Sequence, residues 1–99
     1  MEPRFEWDRE KADSNLRKHR VSFSVATRVF SDPFAMVEQD RIEAGEYRWQ
    51  TLGLVEGHLL LLVAHTVWDD EGGVEVIRII SARRADRTER KRYEQNRSL

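Results

Sequence analysis

Polar and apolar residues change their spacing several times along this chain. RFEW (4–7) alternates over four residues, as a short strand does. Between Arg9 and His19 the apolar positions thin to Ala12 and Leu16, four apart, which predicts a helix with one narrow inward line. Asp8 is placed as its N-cap and Trp7 as a staple onto Ala12. Ser22 caps a second predicted helix over about 23–31, with Val25, Ala26, Val29 and Phe30 inward, and Asp32-Pro33 ends it. From there the period falls to two. FAMVEQD (34–40) reads as a strand, and EYRWQTLGL (46–54) alternates Tyr47, Trp49 and Thr51 against Glu46, Arg48 and Gln50. Glu56-Gly57 is a tight turn into LLLLVAHTVW (59–68), and 69–73 is a polar hairpin loop before the strand 74–81. A helix from about Arg84 to Gln95 closes the chain.

Short loops between consecutive strands mean antiparallel neighbours. The expected fold is α+β: two N-terminal helices, a four-stranded antiparallel meander with a short N-terminal strand as a further candidate, and a C-terminal basic helix. Ninety-nine residues predict a single domain over 1–99, large enough for one core without staples. The apolar share, 39%, is low and the charged share, 35%, is high, so the core is thin and some surface is meant for a partner. The absence of cysteine excludes disulfides and thiolate metal sites and fits a reducing, cytoplasmic compartment. No charged segment precedes an apolar start, so no signal peptide is expected. The longest apolar run is half a membrane span and contains His65, so it is a strand and no membrane partner is expected.

Charge is uneven. Residues 78–99 hold eight Lys or Arg against three acids, so a chain of net charge −1 divides into a +5 end and a −6 body. A basic end suggests a polyanion, an acidic protein surface, or the body itself. The last helix offers only Ala85 and Tyr93 for docking, so apolar area holds it weakly. Arg78 is the other anomaly, a charge flanked by Val76, Ile77, Ile79 and Ile80. Alternation puts it on the face of Val74, Val76 and Ile80. Burying it there would cost several kcal/mol, roughly, without an anion or an acid such as Glu46 beside it.

The available chemistry is narrow. His19, His58 and His65 are scattered, no carboxylate cluster has metal-ligand spacing, and no glycine-rich phosphate loop or nucleophile elbow is present. No metal or cofactor is therefore expected. Arginine, lysine, histidine and glutamate remain, and they suit cleavage of RNA by its own 2′-OH. That reaction needs a base, an acid, and cations to hold charge on phosphorus. Guanidinium matches phosphate oxygens in its planar fork, and imidazole moves protons near neutral pH.

Four blocks make the pattern more specific: W-D-x-x-K-A with a following Asn, K-H-x-V-S-F, G-E-x-R, and R-I-I-S-A-R. In this order, between about Phe5 and Glu94, they resemble the BrnT family, the toxins of BrnT–BrnA type II toxin–antitoxin modules. The resemblance implies a bacterial ribonuclease with a RelE-like fold. It also implies a ribbon-helix-helix antitoxin (BrnA-like) that neutralises it and, through its own contacts, bears the complex on operator DNA. Where the family commonly has K-H-G-V-S-F this chain has Arg20, at a position that suits a left-handed helix C-cap.

The candidate catalytic residues are Lys11, His19, Glu46, Arg78 and Arg83, and the candidate RNA-binding residues Arg48, Trp49, Ser81 and Arg84. Each has a plainer reading: His19 as a helix cap, Lys11 as a solvated lysine, Glu46–Arg48 as a surface ion pair, Arg78 as a buried strand-register pair. His65 is expected in the core, as are Trp7 and Trp68. The rival functions are a non-catalytic nucleic-acid-binding or corepressor module, and an adaptor using the loosely docked last helix.

Overall fold

The structure is a computed structural model that describes residues 2–98. Its elements run β1 (Arg4–Trp7), α1 (Arg9–His19), α2 (Phe23–Ala26) with a 3-10 turn (Thr27–Ser31), β2 (Met36–Glu43), β3 (Glu46–Val55), β4 (Leu59–Asp69), β5 (Glu75–Arg84) and α3 (Arg87–Arg97). The sheet has five strands in the order β1-β5-β4-β3-β2. The four-stranded meander is present, and the N-terminal strand joins it, running parallel to β5 from Arg4↔Val76 to Trp7↔Ile79.

Several boundaries differ from the pattern reading. The second helix divides into one α-turn and a 3-10 turn. β2 starts at Met36 and not at Phe34, because Asp32 holds Phe34 N and Ala35 N in a turn. β5 continues to Arg84, since Leu61 and Leu62 of β4 still have Arg84 and Arg83 opposite them. α3 therefore begins at Arg87, not Arg84, and Asp86 caps it in a reciprocal box with Glu89. The box is visible in the sequence as D-R-T-E at 86–89.

The two faces of the sheet are covered differently. α1, α2 and the 3-10 turn pack on one, closing a core of Val21, Phe23, Ala26, Val29, Val55, Leu61, Val63, Ile79 and Ala82. α3 covers only part of the other, where Tyr93 seats on Leu52 and Leu60. Its hydroxyl donates to Asp32 Oδ2 at 2.5 Å. Burial and that bond push the Tyr93 hydroxyl up to about 12. The apolar docking of α3 is thin, as expected, and polar contacts add to it: the Tyr93 hydroxyl, Glu89 with Arg83, Arg92 with Glu38, and Asn96 with Phe34 O.

Asn15 fastens α1 to the sheet. Beyond Ile79, β1 has ended and the outer edge of β5 is open. Asn15 Nδ2 donates to Ala82 O at 2.8 Å while Oδ1 accepts from Ala82 N at 3.0 Å. The amide thus replaces a missing strand at that residue. Nδ2 also donates to Val21 O at 3.0 Å.

Arg20 has φ 60° and ψ 27°, and its N–H bonds Leu16 O. The left-handed cap is therefore built with a residue bearing a Cβ. Arg20→Gly is expected to raise stability by about 1 kcal/mol in urea unfolding, and an unchanged or lower midpoint would contradict this reading.

His65 is buried, as expected, with Nε2 2.8 Å from Thr51 Oγ1 and Phe30 edge-on to its ring. Burial pushes it down to about 4, against a backbone contact with Thr66. The unfolded chain protonates its imidazole below about pH 6.5, whereas the folded chain stays neutral to about pH 4. Stability is therefore full above pH 6.5 and falls by roughly 3 kcal/mol as pH drops toward 4. Urea midpoints at pH 7 and pH 4.5 should show the fall, and His65→Gln should flatten it.

Candidate active site

The site is organised by one irregularity. His65 lies opposite Ile79 and Ala64 opposite Ser81, so Ile80 has no counterpart on β4. This bulge reverses the alternation of everything after it. Ala82 turns into the helix-covered core, fully buried. Ser81 and Arg83 turn to the other face, opposite Ala64 and Leu62, and join Arg78, which lies opposite Thr66. In a regular strand, positions 78 and 83 would project on opposite sides. Arg78 shares its face with Val76 as predicted, but Ile80 is the extra residue.

Arg78 is not desolvated. Its side chain is 47% exposed and lies 3.6 Å from Glu6, its register partner on β1. The expectation of a buried cation matched to Glu46 is thereby corrected: β1 supplies the acid, and solvent does the rest. Arg48 approaches Glu43 at 3.8 Å, so the Glu46–Arg48 ion pair also gives way to another partner.

On the open face the predicted residues gather in two groups. The first surrounds Ser81. A cleft of about 260 Å³ is lined by Lys11, His19 and Ser81, and an adjoining one of about 310 Å³ by His19, Gln50, Ser81 and Arg83. α1 brings Lys11 and His19 to this place because Asn15, between them on the helix, is tied to Ala82. The second group lies further along the strands. Arg78 lies opposite Thr66, and Glu46 borders a cleft of about 400 Å³ with Trp49, Thr66 and Trp68, which neither Arg78 nor Arg48 lines. Glu46 shares no cleft with His19 or Arg83.

Two predicted residues project elsewhere. Trp49 lies opposite His65, on the helix-bearing face, and Arg84 lies opposite Leu61 on that same side. Arg84 thus separates from Arg83, and the expected convergence of the two is not found. A larger cleft, about 530 Å³, lies between Asp32, Phe34, Tyr93 and Arg97 and includes none of the candidates.

Arg83 is held in place. Its Nη1 and Nη2 donate to Glu89 Oε1 and Oε2 at 2.8 and 2.9 Å, and Nη1 also to Arg84 O. That bidentate bond pushes Arg83 further up and holds Glu89 below the usual carboxylate range, against burial. A guanidinium has five N–H donors, so Nε–H and one Nη2 hydrogen remain unspent as a fork. In the second group, Arg48 Nε and Thr66 Oγ1 are buried without a hydrogen-bond partner. Buried polar atoms left so are costly. Asn15, Gln50, Thr66 and Glu89 were not among the predicted residues. Only Asn15 and Glu89 left a readable signal, in the motif Asn and the capping box.

A cationic strip on an open sheet face, bordered by a lysine and a histidine, defines a small α+β domain built to act on a polyanion. No cluster of His, Asp or Glu among the described residues has metal-binding geometry, and no described helix is long and apolar enough to cross a membrane. The chain belongs to the family of BrnT, the ribonuclease toxin of type II toxin–antitoxin systems, whose family model matches residues 7–89. It is accordingly a ribonuclease toxin with an antitoxin partner. The fold is similar to the 1.1 Å crystal structure of the Brucella abortus ribonuclease toxin BrnT: TM-score 0.64, 22% identity, covering 87% of this chain and 100% of that one. No curated protein matches the chain.

Proposed function

We propose that this toxin cleaves single-stranded RNA without metal, with the scissile phosphate above Ser81. The reading is carried by the bulge at Ile80, which puts Ser81, Arg83 and Arg78 on one face beside the α1 wall of Lys11 and His19. The free fork of Arg83 takes two non-bridging oxygens, and Ser81 and Gln50 donate to them. As the 2′-oxygen attacks phosphorus, its proton passes to a base and the departing 5′-oxygen receives one from an acid. His19 is the proton carrier on this wall, and Lys11 neutralises the charge that builds on the phosphate. The products are a 2′,3′-cyclic phosphate and a 5′-hydroxyl.

Arg78, with Arg48 beside it, then holds the backbone of a neighbouring nucleotide through the exposed ends of the guanidinium groups. Glu46 sits at that far end, so its role is to shape the track and not to move the reacting proton. The fold is read as RelE-like, a single cytoplasmic domain that inhibits translation. The antitoxin is a ribbon-helix-helix protein of the BrnA kind, and its acidic segment covers the strip. Operator DNA is reached through the antitoxin.

Labelled single-stranded RNA incubated with the chain in EDTA tests this reading. Cleavage should persist, should yield cyclic phosphate ends, and should stop at a 2′-deoxy substitution. Cleavage that needs a divalent ion, or that survives the 2′-deoxy substitution, would overturn it. Intact RNA with a salt-dependent gel shift would favour the binding-module reading.

A further inference from the structure

β2 is the last strand of the sheet and pairs on one side only. Seven of its eight residues are exposed, including Val37 and Ile42 at 57% and 60%. An open edge of this length, carrying two bare aliphatic side chains, is a template for another strand. The question is which strand fits.

The order of faces along β2 answers it. Gln39 lies opposite Trp49 and Arg41 opposite Arg48, so Asp40 is an extra residue that stays on the side of Gln39. Outward from this pair the strand reads the same in both directions. Glu38 and Arg41 share the open face, Val37 and Ile42 the helix-bearing face, and Met36 and Glu43 the open face again. An antiparallel copy turned about a twofold axis between Gln39 and Asp40 therefore meets it with every side chain matched to one on the same face. In that register Glu38 stands opposite Arg41 of the second copy, and Val37 opposite Ile42, each pair formed twice. Opposite charges and aliphatic pairs directly across a ladder are favourable.

Charges on an edge strand often serve to repel other strands. Here their signs are complementary under the twofold, so they admit a copy of the same chain. The present partners do not oppose this. Glu38 bonds Arg92 and Arg41 bonds Glu43, both in exposed pairs of small worth.

We propose that β2 is a self-association edge, through which two copies join antiparallel over Met36–Glu43 into one continuous sheet. A single strand pairing is a small interface, so the dimer should form in roughly the micromolar range or above. The inference does not depend on the cleavage chemistry.

Sedimentation velocity of the purified chain, from low micromolar to several hundred micromolar, tests it. A concentration-dependent monomer–dimer equilibrium is expected. Arg41→Glu should weaken it by about tenfold or more, since each ion pair becomes a repulsion. Val37→Lys should weaken it independently. The double variant Glu38→Arg/Arg41→Glu should restore it, because the pairs re-form with signs exchanged. Circular dichroism verifies that each variant is folded. A chain that stays monomeric throughout, a dimer indifferent to Arg41→Glu, or a double variant that fails to re-associate would each overturn the proposal.

Discussion

Asn15→Ala is expected to destabilise the fold by roughly 4 kcal/mol, a large part of what a domain this small has. The side chain serves three backbone groups: Ala82 N–H, Ala82 C=O and Val21 C=O. Ala82 is fully buried and Val21 is 3% exposed, so water is a poor substitute. Each group left without a partner costs about 1–3 kcal/mol. Asn15→Asp should be no better. It keeps the acceptor for Ala82 N but loses both Nδ2 bonds and sets a carboxylate against two carbonyls. Urea unfolding measures this directly. A loss below about 1 kcal/mol would show that α1 is held by packing and that the amide is incidental. Activity should fall with stability, because the same residue places Lys11 and His19 beside Ser81.

Arg83→Ala should lower RNA cleavage by about 10²–10³-fold, the usual effect of deleting a donor that meets charge as it forms. Arg83 also tethers α3 through Glu89, so loss of activity alone is ambiguous. Glu89→Gln separates the roles. It weakens the tether while leaving the guanidinium on its strand, and should reduce cleavage by no more than about tenfold. Arg83→Lys should behave like the alanine variant, because an ammonium cannot bond Glu89 and a phosphate with two planar forks. Equal losses in Arg83→Ala and Glu89→Gln would mean that Arg83 matters for seating α3 and not for RNA.

Local signals in the sequence are strong and non-local ones weak. Asp8 and Ser22 accept from Lys11 N and Val25 N as helix caps, at the predicted residues. The alternation over 46–54 sorts Arg48 from Trp49 correctly. Period-two reasoning also sets Arg78 beside Val76. It fails where the period itself breaks. A bulge depends on how two strands meet, and neither Ile80 nor its neighbours carry a local mark of it. The face of Arg83 is therefore beyond pattern reading, although its place in the motif is not. The partner of Arg78 escapes for a similar reason: Glu6 reaches it only because β1 runs parallel beside β5. Arg84 reads as helical because its charge matches the basic run of α3. Strand pairing with Leu61 outweighs that likeness.

The unpaired residue at position 80 gives β5 one residue of slack. Losing that one codon would close the bulge and leave Ser81, Ala82 and Arg83 opposite Ala64, Val63 and Leu62, so inside and outside would keep their places. A codon gained between Ser81 and Ala82 has no such outlet. It would set Ala82 opposite Leu62 and Arg83 opposite Leu61, exchanging inside for outside and ending toxicity and folding together.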